Sequence, residues 1–368
     1  MYNVAILGTG KIGSAIAKLL YHSGDYNISI GDIDPRSLEC LTELIPVDTF
    51  VIDVTDEAAI AEKLQGCDAI VSACPYWLNA GIARAAAKAG ASYFDLTEDV
   101  ETTRSVRAIT ETASENLIFA PQCGLAPGFI SILAHHLYSG FEKLDEVKMR
   151  VGALPQYPSN RIAYNLTWST EGLINEYCNP CEVIRNGLLC EALPLEEIEH
   201  FALDGVQYEA FNTSGGLGTL CETLASSTGN LNYKSVRYPG HRDLMAFLTR
   251  ELRLSDRREL LKEILENAIP ITKQDVVVIF CAVTGWKNGS LQQISDARKI
   301  YPISFKGEFW SAIQLTTAAS LCAVLDMYLN GTISHRGFLK QEQIHLEEFL
   351  ANRFGRYYLE AAKPGNLI

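Results

Sequence analysis

The chain has 368 residues, of which 48% are hydrophobic and 20% charged, a balance that excludes a small stapled module or a disordered chain and predicts two domains. Its 31 Lys and Arg against 44 Asp and Glu give a formal charge of −13, which repels a phosphate polymer and argues against a nucleic-acid partner. A small anionic ligand must then be held locally, by backbone amides, a helix N-terminus or single cationic side chains.

No uninterrupted apolar stretch approaches the ~18–20 residues needed to span a bilayer, so no membrane partner is expected. Met1 to Gly8 lacks the stages of a signal peptide, which predicts a cytoplasmic protein whose 10 cysteines are reduced thiols. The sequons at Asn165 and Asn212 are then chance matches.

In chain order, short β-rich runs at Asn3 to Leu7, Asn27 to Gly31, Thr49 to Ile52, Ala69 to Ala73, Ser92 to Asp95 and Leu117 to Ala120 alternate with helical patterns. Those helices are Ile12 to Tyr21, Glu57 to Leu64 and Ala80 to Lys88, with Gly90 where a terminating glycine belongs. The series predicts an α/β fold with a doubly wound parallel Rossmann sheet that takes its ligand at the carboxyl edge. After Gly124 to Gly128 the rhythm changes to longer alternating strands, at Val147 to Val151, Arg161 to Trp168 and Val276 to Val283. They predict a second α+β domain with a mixed, largely antiparallel sheet. Glu308 to Tyr328 is a long apolar helix expected to pack on the first domain. The division is therefore 1–125 with 309–368 for the dinucleotide, and 126–308 for substrate and oligomerisation. An open sheet face and free edges there predict a homo-oligomer.

Gly8-Thr-Gly-Lys-Ile-Gly13 follows the first strand and opens a helix, the setting that makes a glycine motif a dinucleotide site. Gly8 permits the turn, Gly10 admits the pyrophosphate, Gly13 allows close packing, and Lys11 and Ile12 begin the helix. Asp32 ends the second strand 19 residues after Gly13, near the spacing of a carboxylate that accepts ribose hydroxyls. It favours NAD over NADP, although Arg36 stands close by; Asp34 is the better helix cap. Asp53 and Val54 follow the third strand, and Ala73, Cys74 and Tyr76 the fourth, so all five fall on the ligand edge. Asp53 alternatively caps the next helix.

Three segments reach the same edge: Cys74-Pro-Tyr76, Tyr93-Phe-Asp95-Leu-Thr-Glu98-Asp99 and Pro121-Gln-Cys123-Gly-Leu-Ala-Pro-Gly128. Together with Thr167-Trp-Ser-Thr-Glu-Gly172, Ser214-Gly-Gly216 and Arg237-Tyr-Pro-Gly-His241, they resemble the saccharopine dehydrogenase and lysine 6-dehydrogenase family over nearly the whole chain. The resemblance implies oxidation of a carbon bearing an amine, or reduction of an imine, on a lysine-derived amino acid. The reaction needs a nicotinamide to take hydride, a base to remove a proton and water to attack the iminium.

The resemblance places Asp95 and Cys123 in the site, Asp95 to stabilise the cation and Cys123 to position substrate or cofactor. Asp95 alternatively caps the helix near Glu101, and Cys123 alternatively fills apolar space. His241 lies in a motif of this kind and has the pKa of a base, with capping or core packing as the other reading. Arg161 and Arg237 are candidate carboxylate clamps; Tyr76, Trp168, Ser169 and Tyr238 are candidate substrate contacts. Cys178-Asn-Pro-Cys181 has neither the partners nor the setting of a zinc or thioredoxin-like site, so no metal is expected. The reading is NAD-dependent oxidation of the terminal amine of L-lysine, with saccharopine oxidation as the alternative and a non-catalytic NAD(H) sensor as a reading of another class.

Overall fold

The first strand is β1 (Tyr2–Leu7), and the alternation it begins continues as α1 (Lys11–Ser23), β2 (Tyr26–Asp32), α2 (Pro35–Thr42), β3 (Asp48–Val51) and α3 (Glu57–Lys63). It goes on through β4 (Ala69–Ser72), α4 (Tyr76–Ala89), β5 (Ser92–Asp95), α5 (Val100–Thr110) and β6 (Ile118–Ala120). In this computed structural model residues 1–359 are described; the end of the expected first domain, 360–368, lies outside the described residues. Two units emerge, Met1–Ile132 with Thr316–Leu359, and Leu133–Leu315.

The first unit is a parallel sheet in the order β3-β2-β1-β4-β5-β6, extended beyond β6 by Gly337–Phe338. The order reverses between β1 and β4, so the loops after these strands flank the crevice where such sheets bind ligands. Ala5, Leu7, Ile70 and Tyr93 from the strands pack with Ile82, Ala86 and Val106 from the helices in one buried cluster. Each fully buried aliphatic side chain contributes roughly 1.5–3 kcal/mol, so these residues fix which face each helix presents.

The long helix Ala312–Leu329 runs alongside in this unit from Thr316 onward. Tyr328 bonds Ser92 at 2.7 Å and packs on Phe94 with ring centres 5.8 Å apart, and Asp326 accepts from Tyr26. The helix begins four residues later than its sequence suggests. Glu308–Trp310 instead pairs with Ile303–Phe305 around Lys306 and Gly307, both at positive φ, the signature of a tight hairpin. Asp275 then accepts from the amides of Ala312 and Ile313 at 2.6 and 2.9 Å, which starts the helix there. By length and composition this helix could cross a membrane, but most of it is buried within the fold, as befits a core helix.

The second unit is an eight-stranded mixed sheet. Its strands are β7 (Lys143–Pro155), β8 (Cys181–Arg185), β9 (Leu188–Ala192), β10 (Glu199–Leu203), β11 (Val206–Asn212), β12 (Thr228–Arg237), β13 (Asp275–Lys287) and β14 (Ser290–Ile300). The main order is β10-β11-β12-β7-β13-β14, with β8 and β9 branching from β12; the pairings are antiparallel except β12 with β7. Phe211 on one face packs with Leu173, Met245 and Leu261 from helices, whereas Leu291, Gln293, Ser295 and Ala297 of β14 are exposed.

Arg161 to Trp168, read from sequence as a strand, is irregular. The Asn160 side chain grips Tyr164, accepting from its amide at 3.2 Å and donating to its carbonyl at 2.5 Å, and Ala163 sits at φ 52°. Among the described residues its ladder is a single bridge from Leu166 to Ile271. Local side-chain hydrogen bonding has displaced the sheet.

Candidate dinucleotide and catalytic site

The glycine loop is laced to the strands around it. Gly8 donates to the Gly31 carbonyl at 2.8 Å, and Ser14 of α1 donates to the Thr9 carbonyl at 2.8 Å. A Cβ on Gly13 would stand 2.0 Å from the Gly8 oxygen, so α1 can lie this close only without a side chain there. Gly10 differs: a Cβ there would meet nothing within 4 Å. The protein's own packing does not require glycine at position 10, but a group approaching the helix start does.

No side chain caps that helix start. The residues present therefore fit a dinucleotide, with the amides of Gly10, Lys11 and Ile12 as the holders of its pyrophosphate.

Asp32 lies at the end of β2 with both carboxylate oxygens engaged. Oδ2 accepts from the Thr9 amide at 2.7 Å and the Thr9 hydroxyl at 2.5 Å, while Oδ1 accepts from the Asp34 amide at 2.9 Å. Partial burial opposes ionisation, but the donors at Asp34 and Thr9 outweigh it and hold this carboxyl below its ordinary range. Asp34 caps α2 through the Arg36 amide, as expected, and Arg36 is exposed in the first turn.

Asp53 does not cap α3; it closes its own turn on Thr55, at 2.9 Å to the amide and 2.7 Å to the hydroxyl, and Asp56 caps the helix. Val54 and Cys74 pack against the sheet core. The Ala73 amide donates to the Leu7 carbonyl at 2.8 Å. Burial pushes the Cys74 thiol up to about 12, which leaves it protonated and inert at neutral pH. Tyr76 opens α4, half-buried, with its ring edge-on to Trp77 at 5.2 Å.

Asp95 ends β5 and is 0% exposed. Its Oδ2 accepts from the Tyr93 hydroxyl at 2.8 Å, and its Oδ1 from the amides of Thr97 and Gln122 at 2.9 and 3.0 Å. Burial raises its pKa to about 6 against the pull of these donors. The helix that follows is capped by Asp99, which removes the capping reading of Asp95. Cys123 is also 0% exposed; its amide donates to the Asp95 carbonyl at 2.8 Å, and its sulfur lies 3.2 Å from Gln341 Nε2. Burial drives this thiol far above its ordinary pKa. Asp95 and Cys123 are thus brought together as one enclosed node that fixes the loop after β6, with Tyr76 and Glu98 as half-buried neighbours along the same edge.

The second unit holds the remaining candidates. His241 starts its helix but is 1% exposed, with Nδ1 3.0 Å from the Ile162 carbonyl and Nε2 2.9 Å from the Tyr177 hydroxyl. A carbonyl can only accept, so Nδ1 carries the proton and Nε2 accepts from Tyr177, which in turn accepts from Arg237 Nε at 2.8 Å. Burial, with Arg237 nearby, lowers the histidine to about 3. The ring is thus enclosed between Tyr177 and the Ile162 carbonyl, held neutral in the fold.

Arg237 is likewise no open clamp. It is 3% exposed, donates to the Val236 carbonyl at 2.8 Å and pairs with Glu176 at 3.4 Å, while burial lifts Glu176 to about 7. Tyr238 donates to the Pro155 carbonyl at 2.9 Å, and Ser169 caps the helix Thr170–Cys178 by accepting from Gly172, so both have structural work. Trp168 is half-buried against the same hydrophobic cluster as Phe211; Arg161 is exposed. Cys178 closes its helix and Cys181 opens β8. The Glu176 and Tyr177 partners were missed because a helix sequence does not announce which polar residue turns inward.

This burial has a pH consequence. His241 is depressed in the folded state, so the stability it brings is present above pH ~6.5 and is lost as pH falls towards 3. Between pH 7 and 5 the wild type is expected to lose about 2 kcal/mol more than His241→Asn in urea unfolding. Equal losses in the two proteins would show that the ring is not buried neutral.

Strand, glycine turn, helix and acidic β2 terminus in this geometry define a dinucleotide-binding unit of the Rossmann class. Residues 4–119 match the saccharopine dehydrogenase NADP binding domain, and residues 124–356 match the saccharopine dehydrogenase C-terminal domain. The chain belongs to the saccharopine dehydrogenase family.

Among curated relatives, "Saccharopine dehydrogenase [NADP(+), L-glutamate-forming]" of Saccharomyces cerevisiae is 22% identical over 50% of this chain and 42% of its own length. The Schizosaccharomyces pombe protein of the same name is 25% identical over 52% of this chain and 44% of its own. The mouse mitochondrial alpha-aminoadipic semialdehyde synthase is 20% identical over 50% of this chain and 20% of its own. The chain thus matches less than half the length of each of these relatives. The solved apo saccharopine dehydrogenase (L-Glu forming) of Saccharomyces cerevisiae shares the fold, with a TM-score of 0.78 at 16% identity over 98% of this chain and 96% of that one.

Proposed function

We propose that this protein is a nicotinamide-dependent oxidoreductase acting on a carbon–nitrogen bond of a lysine-derived amino acid, with the terminal amine of L-lysine as its substrate. The observation that carries the reading is the presence, in a unit of this family, of a dinucleotide cradle after β1 and an enclosed carboxylate, Asp95, at the carboxyl end of β5, with β4 between the two strands. When bound, the dinucleotide supplies hydride acceptance. In this reading Asp95, held by three donors, favours the positive charge developing on the substrate's C–N unit. Loss of hydride and one proton turns the ammonium-bearing carbon into an iminium; water adds, and ammonia leaves to give the semialdehyde.

Saccharopine is the second reading, favoured by the names of the relatives. It carries a glutamate arm with two further carboxylates, which call for additional cations. Arg237, one of two clamps read from sequence, is consumed by Glu176, Tyr177 and a carbonyl, which supports the smaller substrate. Assaying L-lysine and saccharopine with each dinucleotide tests this: turnover of L-lysine is expected, and turnover of saccharopine alone would transfer the reading to the second substrate.

The cofactor reading is NAD. A carboxylate at Asp32 suits ribose hydroxyls and repels a 2′-phosphate, whereas the relatives' names specify NADP(+). NADH is expected to bind more tightly than NADPH, and Asp32→Ala to narrow the ratio about 10-fold or more. A wild type that binds NADPH more tightly would end the NAD reading.

A further inference from the structure

We propose that Thr9 is a specificity-determining residue, which locks the Asp32 carboxylate in the orientation that rejects a 2′-phosphate. The proposal rests on the NAD reading and goes beyond it, because it assigns the discrimination to a pair of residues and not to a carboxylate alone.

A free aspartate at the end of β2 would be a weak barrier to NADP. Rotation about its side-chain torsions would swing the charge away from an incoming phosphate, at a cost of only a fraction of a kcal/mol to about one. Arg36, exposed in the first turn of α2, would then be available to pair with the phosphate.

Thr9 removes that freedom. Its amide and hydroxyl converge on the same oxygen, Oδ2, at 2.7 and 2.5 Å, and fill both of its lone-pair directions. The Asp34 amide donates to Oδ1 at 2.9 Å, and the Ile33 amide adds to the donors around the carboxylate. Asp32 therefore cannot turn aside without breaking at least two charge-assisted bonds.

The lock is itself anchored. Thr9 is 9% exposed, its carbonyl accepts from Ser14, and the preceding Gly8 amide is bound to the Gly31 carbonyl in the strand that carries Asp32. Thr9 and Asp32 therefore move as one piece.

The test is fluorescence titration of NADH and NADPH into four proteins: wild type, Thr9→Val, Asp32→Ala and the double variant. Valine keeps the shape and the amide of Thr9 and puts a methyl group where the hydroxyl donates. In Thr9→Val the preference for NADH is expected to fall about 10-fold, chiefly through tighter NADPH binding, with NADH affinity changed less than about 3-fold. In the Asp32→Ala background the same substitution is expected to leave the ratio unchanged, since there is no carboxylate to lock.

If Asp32→Ala narrows the ratio and Thr9→Val does not, the lock is wrong and the NAD reading survives. If Thr9→Val narrows the ratio equally in both backgrounds, threonine acts without Asp32 and the proposal fails. If the wild type prefers NADPH, both fall together. Melting temperature, followed in parallel, guards against an unfolded variant: should Thr9→Val not fold, Thr9→Ser, which keeps the hydroxyl, is expected to retain the wild-type ratio, and a narrowed ratio in it would overturn the lock.

Discussion

Gly10→Val is expected to abolish NADH binding, by at least about 100-fold, in a protein that still folds. Most substitutions that block a site also injure the structure around it, and this one should not. Gly10 has φ −61° and ψ −176°, extended geometry that valine adopts readily, and its Cβ would contact nothing within 4 Å. The isopropyl group would instead fill the space over the start of α1 that the pyrophosphate needs. Gly13→Val provides the contrast, since a Cβ 2.0 Å from the Gly8 oxygen must push α1 off the sheet. Calorimetric titration and thermal melting separate the two: Gly10→Val should lose binding with an unchanged melting temperature, and Gly13→Val should lose both. Undiminished NADH binding by folded Gly10→Val would remove this loop from the cofactor site.

Asp95→Asn is expected to lower turnover roughly 100-fold while NADH affinity stays within about 3-fold. Asparagine can still accept from Thr97 and Gln122 through its oxygen, so what it removes is the charge. With its pKa raised to about 6, the wild-type carboxyl ionises as pH rises through 6, and a rate that depends on the charge should climb over that range. The asparagine enzyme should lack this limb.

Stability must move the other way. A carboxyl whose folded pKa is raised contributes most below its unfolded value near 4 and loses that contribution as pH passes 6. Asp95→Asn is therefore expected to be more stable than wild type at pH 8, by on the order of 2 kcal/mol. Full activity in the variant at every pH would show that Asp95 serves only to hold the loop after β6.

The parallel sheet was legible because its strands are short apolar runs separated by helical patterns, and Asp34 could be read as the cap before α2. The glycine motif could be read residue by residue, since Gly10 and Gly13 answer to different physical demands. What the sequence concealed was direction. The pattern does not reveal that Asp95 and Cys123 point into a closed node, that Arg237 meets Glu176 across a helix and a strand, or that Thr9 reaches Asp32 across 23 residues of chain. Arg161 to Trp168 looked like a strand because its apolar alternation is real; the grip of Asn160 on Tyr164 is a local choice that alternation does not encode.

The first unit is also assembled from both ends of the described chain, and this has a consequence for its synthesis. Strands β1 to β6 leave the ribosome long before Thr316–Leu359, which supplies the Gly337–Phe338 strand, the tyrosine that bonds Ser92 and the aspartate that meets Tyr26. For the time taken to translate nearly 200 intervening residues, the nascent sheet shows an uncovered apolar flank and an unpaired β6 edge. The second unit can close during that interval, because the described strands of its sheet all lie within Leu133–Leu315. The order of completion is then the reverse of the order of synthesis, and the dinucleotide unit is the part of this protein most exposed to aggregation while it is being made.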